Sequence, residues 1–337
     1  MIVTALPSLP IALDAMGGDQ APSEIVAGAR QAAEELGVAV VLVGRPEEIG
    51  DTGGLEVWPA SEVIGMADDP GQSVRRKKDS SLVRAAEAVR DRRACAMVSA
   101  GNTGATWGAA LLRIGRIRGV SRPAIATPLP CPGSDTPTVL LDAGANVDCK
   151  AEWLLQFAQM GAVFSRERYG VASPKVGLLS IGEEPGKGDS LRKDAYALLA
   201  DGAWTETTGA TFVGNVEGRD ILSPEVDVVV TDGFTGNVAL KSLEGAMRSL
   251  VDAVLATFGS TAETQAAAEV LMPALLPLYG QLDPNNTGGA MLLGVDGVCI
   301  ISHGSSNATA VVNACRVAAE MASVDIVGSL ATAVTPV

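Results

Sequence analysis

Aromatic side chains make up only 4% of the 337 residues, and histidine occurs once. The core must therefore be built from Ala, Val, Leu and Ile, which the 47% apolar content supplies in a chain long enough to bury it. A single histidine excludes multi-histidine zinc sites. The five cysteines (Cys95, Cys131, Cys149, Cys299, Cys315) are odd in number, scattered and never C-x-x-C. They read as reduced thiols of a cytoplasmic protein with no metal cluster. Cationic residues are also short: 25 Lys and Arg face 39 Asp and Glu, a net charge of −14, which argues against nucleic acid as a partner. No apolar run is long enough to span a bilayer. The apolar start lacks a basic leader and is interrupted by Pro7 and Pro10, so residues 1–9 read as a loose leader and not a signal peptide.

Glycine, at 38 residues, is plentiful, and its placement organises the chain. The stretch from Asp227 to Lys241, DVVVTDGFTGNVALK, reads strand, turn, helix. Gly233 and Gly236 end the β-branched run, and Asn237–Lys241 opens an amphipathic helix. Such a turn leaves N–H groups unpaired at a helix start, where the dipole favours an anion such as phosphate. Asn237 and Lys241 are four apart on one face, and Lys241 is placed to reach back over the turn.

Strands are expected at Ile11–Asp14, Val38–Val43, Leu55–Trp58, Cys95–Ser99, Ala124–Pro128, Thr138–Asp142, Lys175–Ile181, Thr211–Val213, Asp227–Thr231 and Val298–Ser302. Helices are expected at Ser23–Leu36, Ser80–Arg90, Thr103–Ile114, Ala151–Tyr169, Asp189–Leu199, Val238–Phe258 and Ser306–Met321. The alternation predicts one three-layer α/β/α domain over 1–337 with a mostly parallel sheet, whose ligands sit beyond the strand carboxyl ends. Seven polar turns fall at those ends: 14–19, 99–104, 142–150, 181–189, 214–220, 231–237 and 302–307. Any one of them is simply a turn; seven on one rim point to a shared anionic-ligand site. The Asp142, Asn146, Lys150 spacing echoes Asp232, Asn237, Lys241, and three of the seven lysines (150, 187, 241) lie in these turns.

Two stretches stand apart. Residues 244–284 read as a helical hairpin projecting from the sheet, with Gly259–Ser260 at its turn. Its apolar surface suits a dimer contact, with a membrane-surface patch as a second use. Between Arg75 and Arg122 lie twelve Lys and Arg against three acids. That reads as a solvated basic helix or as a docking face for an acidic protein, with Arg75, Arg76, Lys77 and Lys78 at its head.

IALDAMGGDQAP, RRKKDSS, SAGNTGA, RPAIATPLP, LLDAGANVDCK, GKGD, GNVEGRD, DGFTGNVALKSLEG and HGSSNA, in this order from Ile11 to Met321, resemble the bacterial phosphate acyltransferase family, the acyl-acyl carrier protein:phosphate transacylases of phospholipid synthesis. One departure is QLDPNNT ahead of Gly288, where the family pattern has a tyrosine-containing segment. The resemblance implies a fold like that of the isocitrate/isopropylmalate dehydrogenase group and of phosphotransacetylases. It also implies acyl phosphate formation from acyl carrier protein thioester and inorganic phosphate, with no metal or nicotinamide cofactor. It further implies a homodimer, loose association with the inner face of the membrane, and a downstream glycerol-3-phosphate acyltransferase.

Attack of phosphate on a thioester needs donors for the phosphate, donors for the tetrahedral oxyanion and a proton for the leaving thiolate. Asn102, Asn146 and Asn237 are the expected phosphate turns, with Lys150, Lys187 and Lys241 as counter-charges. Asp232 is expected to orient the nucleophile or accept its proton. His303, with Ser305 beside it, is expected to donate to the oxyanion or bind phosphate as a cation. Plain structural readings compete: Asp142 and Asp232 as helix caps, the asparagines as turn residues, Lys150 and Lys241 as surface charges, Asp14 and Asp19 as structural acids. Buried cysteines make a cysteine acyl-enzyme improbable. Rival readings are a coenzyme A-dependent phosphotransacetylase, a dehydrogenase and a non-enzymatic membrane-docked scaffold for lipid synthesis.

Overall fold

The computed structural model describes residues 6–334, the side chains at 278, 282 and 284 excepted, so part of the expected leader (1–5) lies outside the described residues. Eleven strands form one sheet: β1 Ile11–Asp14, β2 Val40–Gly44, β3 Glu56–Pro59, β4 Ala96–Ser99, β5 Ala124–Leu129, β6 Thr138–Leu141, β7 Lys175–Leu179, β8 Thr211–Val216, β9 Val228–Val230, β10 Ala290–Leu293 and β11 Val298–Ile301. The helices are α1 Ser23–Leu36, α2 Pro46–Ile49, α3 Pro70–Arg76, α4 Ser81–Arg90, α5 Thr103–Ala109, α6 Ala151–Tyr169, α7 Ser190–Ala200, α8 Ala203–Thr208, α9 Gly233–Phe258, α10 Ala262–Leu282, α11 Ala308–Ser323 and α12 Ile326–Ala333. The strand order is β3-β2-β1-β4-β11-β10-β5-β6-β9-β7-β8.

The expected three-layer arrangement is present. On one face α1, α6, α7, α11 and α12 cover the sheet through Ile25, Leu154, Phe157, Phe164, Ala195, Val311 and Leu330. On the other, α4, α5 and the first turns of α9 pack through Leu82, Val83, Ala105, Ala109 and Leu240. Small side chains let helices approach closely: a Cβ on Gly28 of α1 would lie 2.5 Å from Val311 of α11. The short apolar strand β10, lying between the Gly288–Gly289 pair and Gly294, and α3 are two elements that the sequence pattern does not announce.

Strand direction overturns one expectation. Seven of the ten ladders are parallel, but β10 is antiparallel to both β11 and β5, and β5 is antiparallel to β6. The chain therefore makes two parallel blocks running in opposite directions, and the polar turns do not share one rim. Turns 14–19, 99–104 and 302–307 leave one edge. Turns 142–150, 181–189, 214–220 and 231–237 leave the other. The registers nevertheless align Leu13, Val98, Ile300, Met291, Ala126, Leu141, Val230 and Leu178 in a single row. Both blocks end within a residue or two of that row, so the two sets of turns flank one line and diverge from it.

α9 is continuous from Gly233 to Phe258 and is followed by α10, which makes the expected hairpin. Beyond Leu240 it leaves the core, and Leu250, Val254 and Leu255 of α9 and Val270, Leu271, Leu276 and Tyr279 of α10 are exposed. Among the described residues no helix is long and apolar enough to cross a membrane.

Candidate active site

At the second edge Asp232 follows β9 and caps α9. Its carboxylate accepts from the Thr235 N–H at 2.9 Å and the Thr235 hydroxyl at 2.8 Å. The guanidinium of Arg192, on the first turn of α7, closes onto the same carboxylate and also donates to Thr231 Oγ1 at 3.2 Å and Thr235 Oγ1 at 3.0 Å. Burial pushes the Asp232 pKa up, but the Thr235 donors and Arg192 outweigh it and hold the group below the ordinary carboxylate value. Asp232 is thus both the cap and an ionised, buried carboxylate.

Asp142 has a different task. Its oxygens accept from the N–H groups of Ile125, Gly144, Ala145 and Asn146 and from the Asn146 side chain, at 2.7–3.2 Å. It staples the 142–146 turn to β5 instead of capping a helix, and burial raises its pKa against these hydrogen bonds. Asn146 is spent likewise: its amide donates to the carbonyl of Pro123 at 2.8 Å, and its own carbonyl accepts from Gly233 N–H at 2.7 Å. Of the three expected phosphate asparagines, Asn237 alone presents an exposed side chain with no hydrogen bond among the described residues. Exposed Lys187 lies only loosely against Glu184, at 4.0 Å. Ser180, beside Gly188, keeps a buried hydroxyl without a partner among the described residues. Lys150 stands 5.9 Å from the Trp153 ring.

The first edge gathers other residues. Asp14 accepts from Ser99 Oγ at 2.8 Å and from Met16 N–H at 3.3 Å, with burial raising its pKa. Asp19 N–H donates to the Gly304 carbonyl at 2.7 Å. Asn102 caps α5 through Ala105 N–H and donates its amide to Met66 O at 2.9 Å, so it fixes the 66–68 segment. His303 Nε2 lies 3.5 Å from Glu244, which also binds Lys241 at 2.8 Å. Lys241 therefore points forward along α9 and not back over the Asn237 turn. Burial lowers the His303 pKa, with Glu244 opposing the shift and Lys241 adding to it. Ser305 is exposed at this edge.

From Asp232 to Glu244 is twelve residues of α9, about 18 Å at 1.5 Å per residue. Four strand spacings from β11 to β9 give about 19 Å. Within one chain, one phosphate cannot touch both Asp232 and His303. The expected trio of Asp232, Lys187 and His303 is thus split two to one, with Lys241 and Ser305 on the His303 side and Asn102 occupied there.

Residues 9–328 match the family described as "Fatty acid synthesis protein". The chain is 48% identical over 325 residues, 95% of each protein, to the phosphate acyltransferase of Desulforudis audaxviator (strain MP104C). The chain belongs to the phosphate acyltransferase family. A second phosphate acyltransferase, from Dictyoglomus turgidum, is 44% identical over 326 residues, covering 94% of this chain and 95% of the relative. The fold of this acyltransferase is shared more widely. The EutD phosphotransacetylase of Staphylococcus aureus superposes with a TM-score of 0.61 at 17% identity, over 93% of this chain and 94% of that one. A 4-hydroxythreonine-4-phosphate dehydrogenase of Klebsiella pneumoniae gives 0.51 at 12%, over 95% and 99%. Those two likenesses speak to architecture alone.

In the acyltransferase the thiols are poorly suited to carry the acyl group. Burial pushes Cys149, in the 142–150 turn, and both Cys299 and Cys315 up to about 12 and Cys95 up to about 11. The residue that sequence reasoning missed is Arg192. It sits in an ordinary helix start behind the Asp189 cap, and its significance comes only from Asp232, forty positions away.

Proposed function

We propose that the enzyme forms acyl phosphate from acyl-acyl carrier protein and inorganic phosphate, supplying phosphatidic acid synthesis. The observation that carries this reading is the ionised Asp232 held by Arg192 at a helix start, on the same edge as the exposed donors of Asn237 and Lys187. Phosphate seats on the cations and N–H groups of the second edge. Asp232 accepts a hydrogen bond from its hydroxyl and aims an oxygen at the thioester carbonyl. The phosphate oxygen–carbon bond forms, the carbon–sulfur bond breaks, and the proton given up by the phosphate hydroxyl ends on the leaving thiolate. Cations fixed in place lower this barrier because they need not reorganise as charge moves onto the carbonyl oxygen.

The test is acyl phosphate production by the purified protein from long-chain acyl carrier protein and phosphate. Turnover with short acyl-coenzyme A alone, and none with the carrier thioester, would replace this reading with a phosphotransacetylase.

The carrier is proposed to approach the exposed cations at the carboxyl end of α3 and just beyond it. Arg75, Arg76 and Lys78 are exposed and make no ion pair among the described residues. Lys77 differs from them: it holds Asp68 at 2.6 Å and the Val63 carbonyl at 2.7 Å, which makes it a structural lysine. Reversing Arg75, Arg76 and Lys78 to Glu is expected to lower kcat/KM for the carrier thioester by about tenfold at low salt, with kcat little changed and the defect fading as salt rises. An unchanged kcat/KM at low salt removes α3 as the docking face. The α9–α10 hairpin is proposed to bury its exposed leucines and valines against a second copy and a lipid surface, placing the cytoplasmic enzyme near a glycerol-3-phosphate acyltransferase that consumes its product.

A further inference from the structure

At the second edge, next to the Asp142–Lys150 turn, two cations flank one tryptophan and a third shares its depression. The Arg122 guanidinium stacks 4.9 Å from the Trp153 ring centroid, and Lys150 Nζ lies 5.9 Å from it. Arg116 joins them across an open depression of about 570 Å³, lined also by Leu111 and Ser121. The loop that presents these groups is fixed from beneath. Gln156, fully buried, accepts from Ser121 N–H at 2.8 Å and donates to the Gly119 carbonyl at 2.9 Å. Arg116 donates to the Ser121 carbonyl, closing the same loop.

None of Arg116, Arg122 and Lys150 makes an ion pair among the described residues. The nearby acids Asp148 and Glu152 are exposed and do not pair with them. Three unneutralised cations converging on an indole, in a chain of net charge −14, are set for a phosphate group attached to an organic chain. Arg122 adjoins Pro123, whose carbonyl is held by Asn146, and Asn146 in turn binds Gly233 beside Asp232. The loop that carries Arg122 is thereby tied to the turns proposed to hold the reacting phosphate.

We infer that this depression binds the phosphodiester of the 4′-phosphopantetheine arm carrying the acyl thioester. The inference rests on the thioester reading above and adds to it the subsite that anchors the far end of the donor. Arg116 and Arg122 grip the phosphate oxygens, Lys150 adds charge, and Trp153 and Leu111 give the start of the pantoate segment an apolar wall. The arm then runs inward toward Asn237 and Asp232.

The test compares two small donors, acyl-4′-phosphopantetheine and acyl-pantetheine, which differ only in the phosphate. The native enzyme is expected to favour the phosphorylated donor by about tenfold or more in kcat/KM, the worth of one charge-assisted contact. In Arg122→Ala, and in Arg116→Ala combined with it, the preference falls toward one while the rate with acyl-pantetheine holds. Calorimetry with 4′-phosphopantetheine should show the same loss in affinity without any turnover. Equal use of the two donors by the native enzyme, or a preference that survives the double variant, overturns the inference. So does a defect seen only with the carrier protein, because the cations would then be reading the carrier's surface. If no donor gives acyl phosphate, the thioester reading itself fails, and the calorimetric arm still decides whether the depression binds the arm.

Discussion

Asp232→Asn is expected to lower acyl phosphate formation by about 100-fold while the protein stays folded. Asn caps helices as well as Asp does, so Thr235 N–H keeps its acceptor. Arg192 keeps Asp189, which it meets at 3.1 Å, and is not left as an isolated buried charge. What disappears is the negative oxygen that takes a hydrogen bond from the attacking phosphate. The pH dependence has a definite sign. Asp232 has a depressed folded pKa, so its contribution to stability is complete above the unfolded carboxylate value near 3.9 and is lost as pH falls through the lower folded value. The stability gap between parent and Asp232→Asn should therefore close below about pH 4. A folded Asp232→Asn protein within about threefold of parental activity would make Asp232 a cap and nothing more.

Gly236→Ala should cost at least about 3 kcal/mol and abolish activity with it. A Cβ there would lie 1.9 Å from the carbonyl oxygen of Asp142, and one on Gly233 would lie 2.7 Å from the Asn146 carbonyl. These are backbone atoms, so no rotamer change relieves the overlap. The first turn of α9 must back away from the 142–146 turn, and the Gly233–Asn146 hydrogen bond goes with it. Gly245, in the same helix, is the control: nothing stands within 4 Å of its Cβ position. Gly245→Ala should stabilise by up to about 1 kcal/mol through helix propensity. Urea midpoints for the two variants decide the matter; equal shifts would mean that α9 does not depend on close backbone contact with the turn.

These expectations depend on what the sequence reveals and what it hides. Strand β1 is readable to the residue, because IALD is bounded by Pro10 and a glycine turn. The α/β layering is equally open, since periodicity is local. Direction is not local. β10 is four apolar residues between glycines, with no alternation to mark it, and its antiparallel pairing separates the polar turns into two sets. Nor does residue type reveal how a side chain is used. Asn102 and Asn146 look like ligand residues and hold backbone carbonyls, while Lys77 looks like its basic neighbours and braces a loop. Arg192 looks unremarkable and meets the buried carboxylate of Asp232. In each case the deciding partner lies between nine and forty residues away and is brought near by the fold.

The two parallel blocks are stitched together at a narrow seam. β10 joins β11 through Ala290–Ile301 and Met291–Ile300 and joins β5 through three further pairs. Side chains of both blocks share each apolar layer, and α12, which follows α11 of the first block, packs on α6 of the second. Five backbone pairings thus carry little of the join, and the spacing between the two sets of turns is set by the shared layers of side chains above and below the sheet.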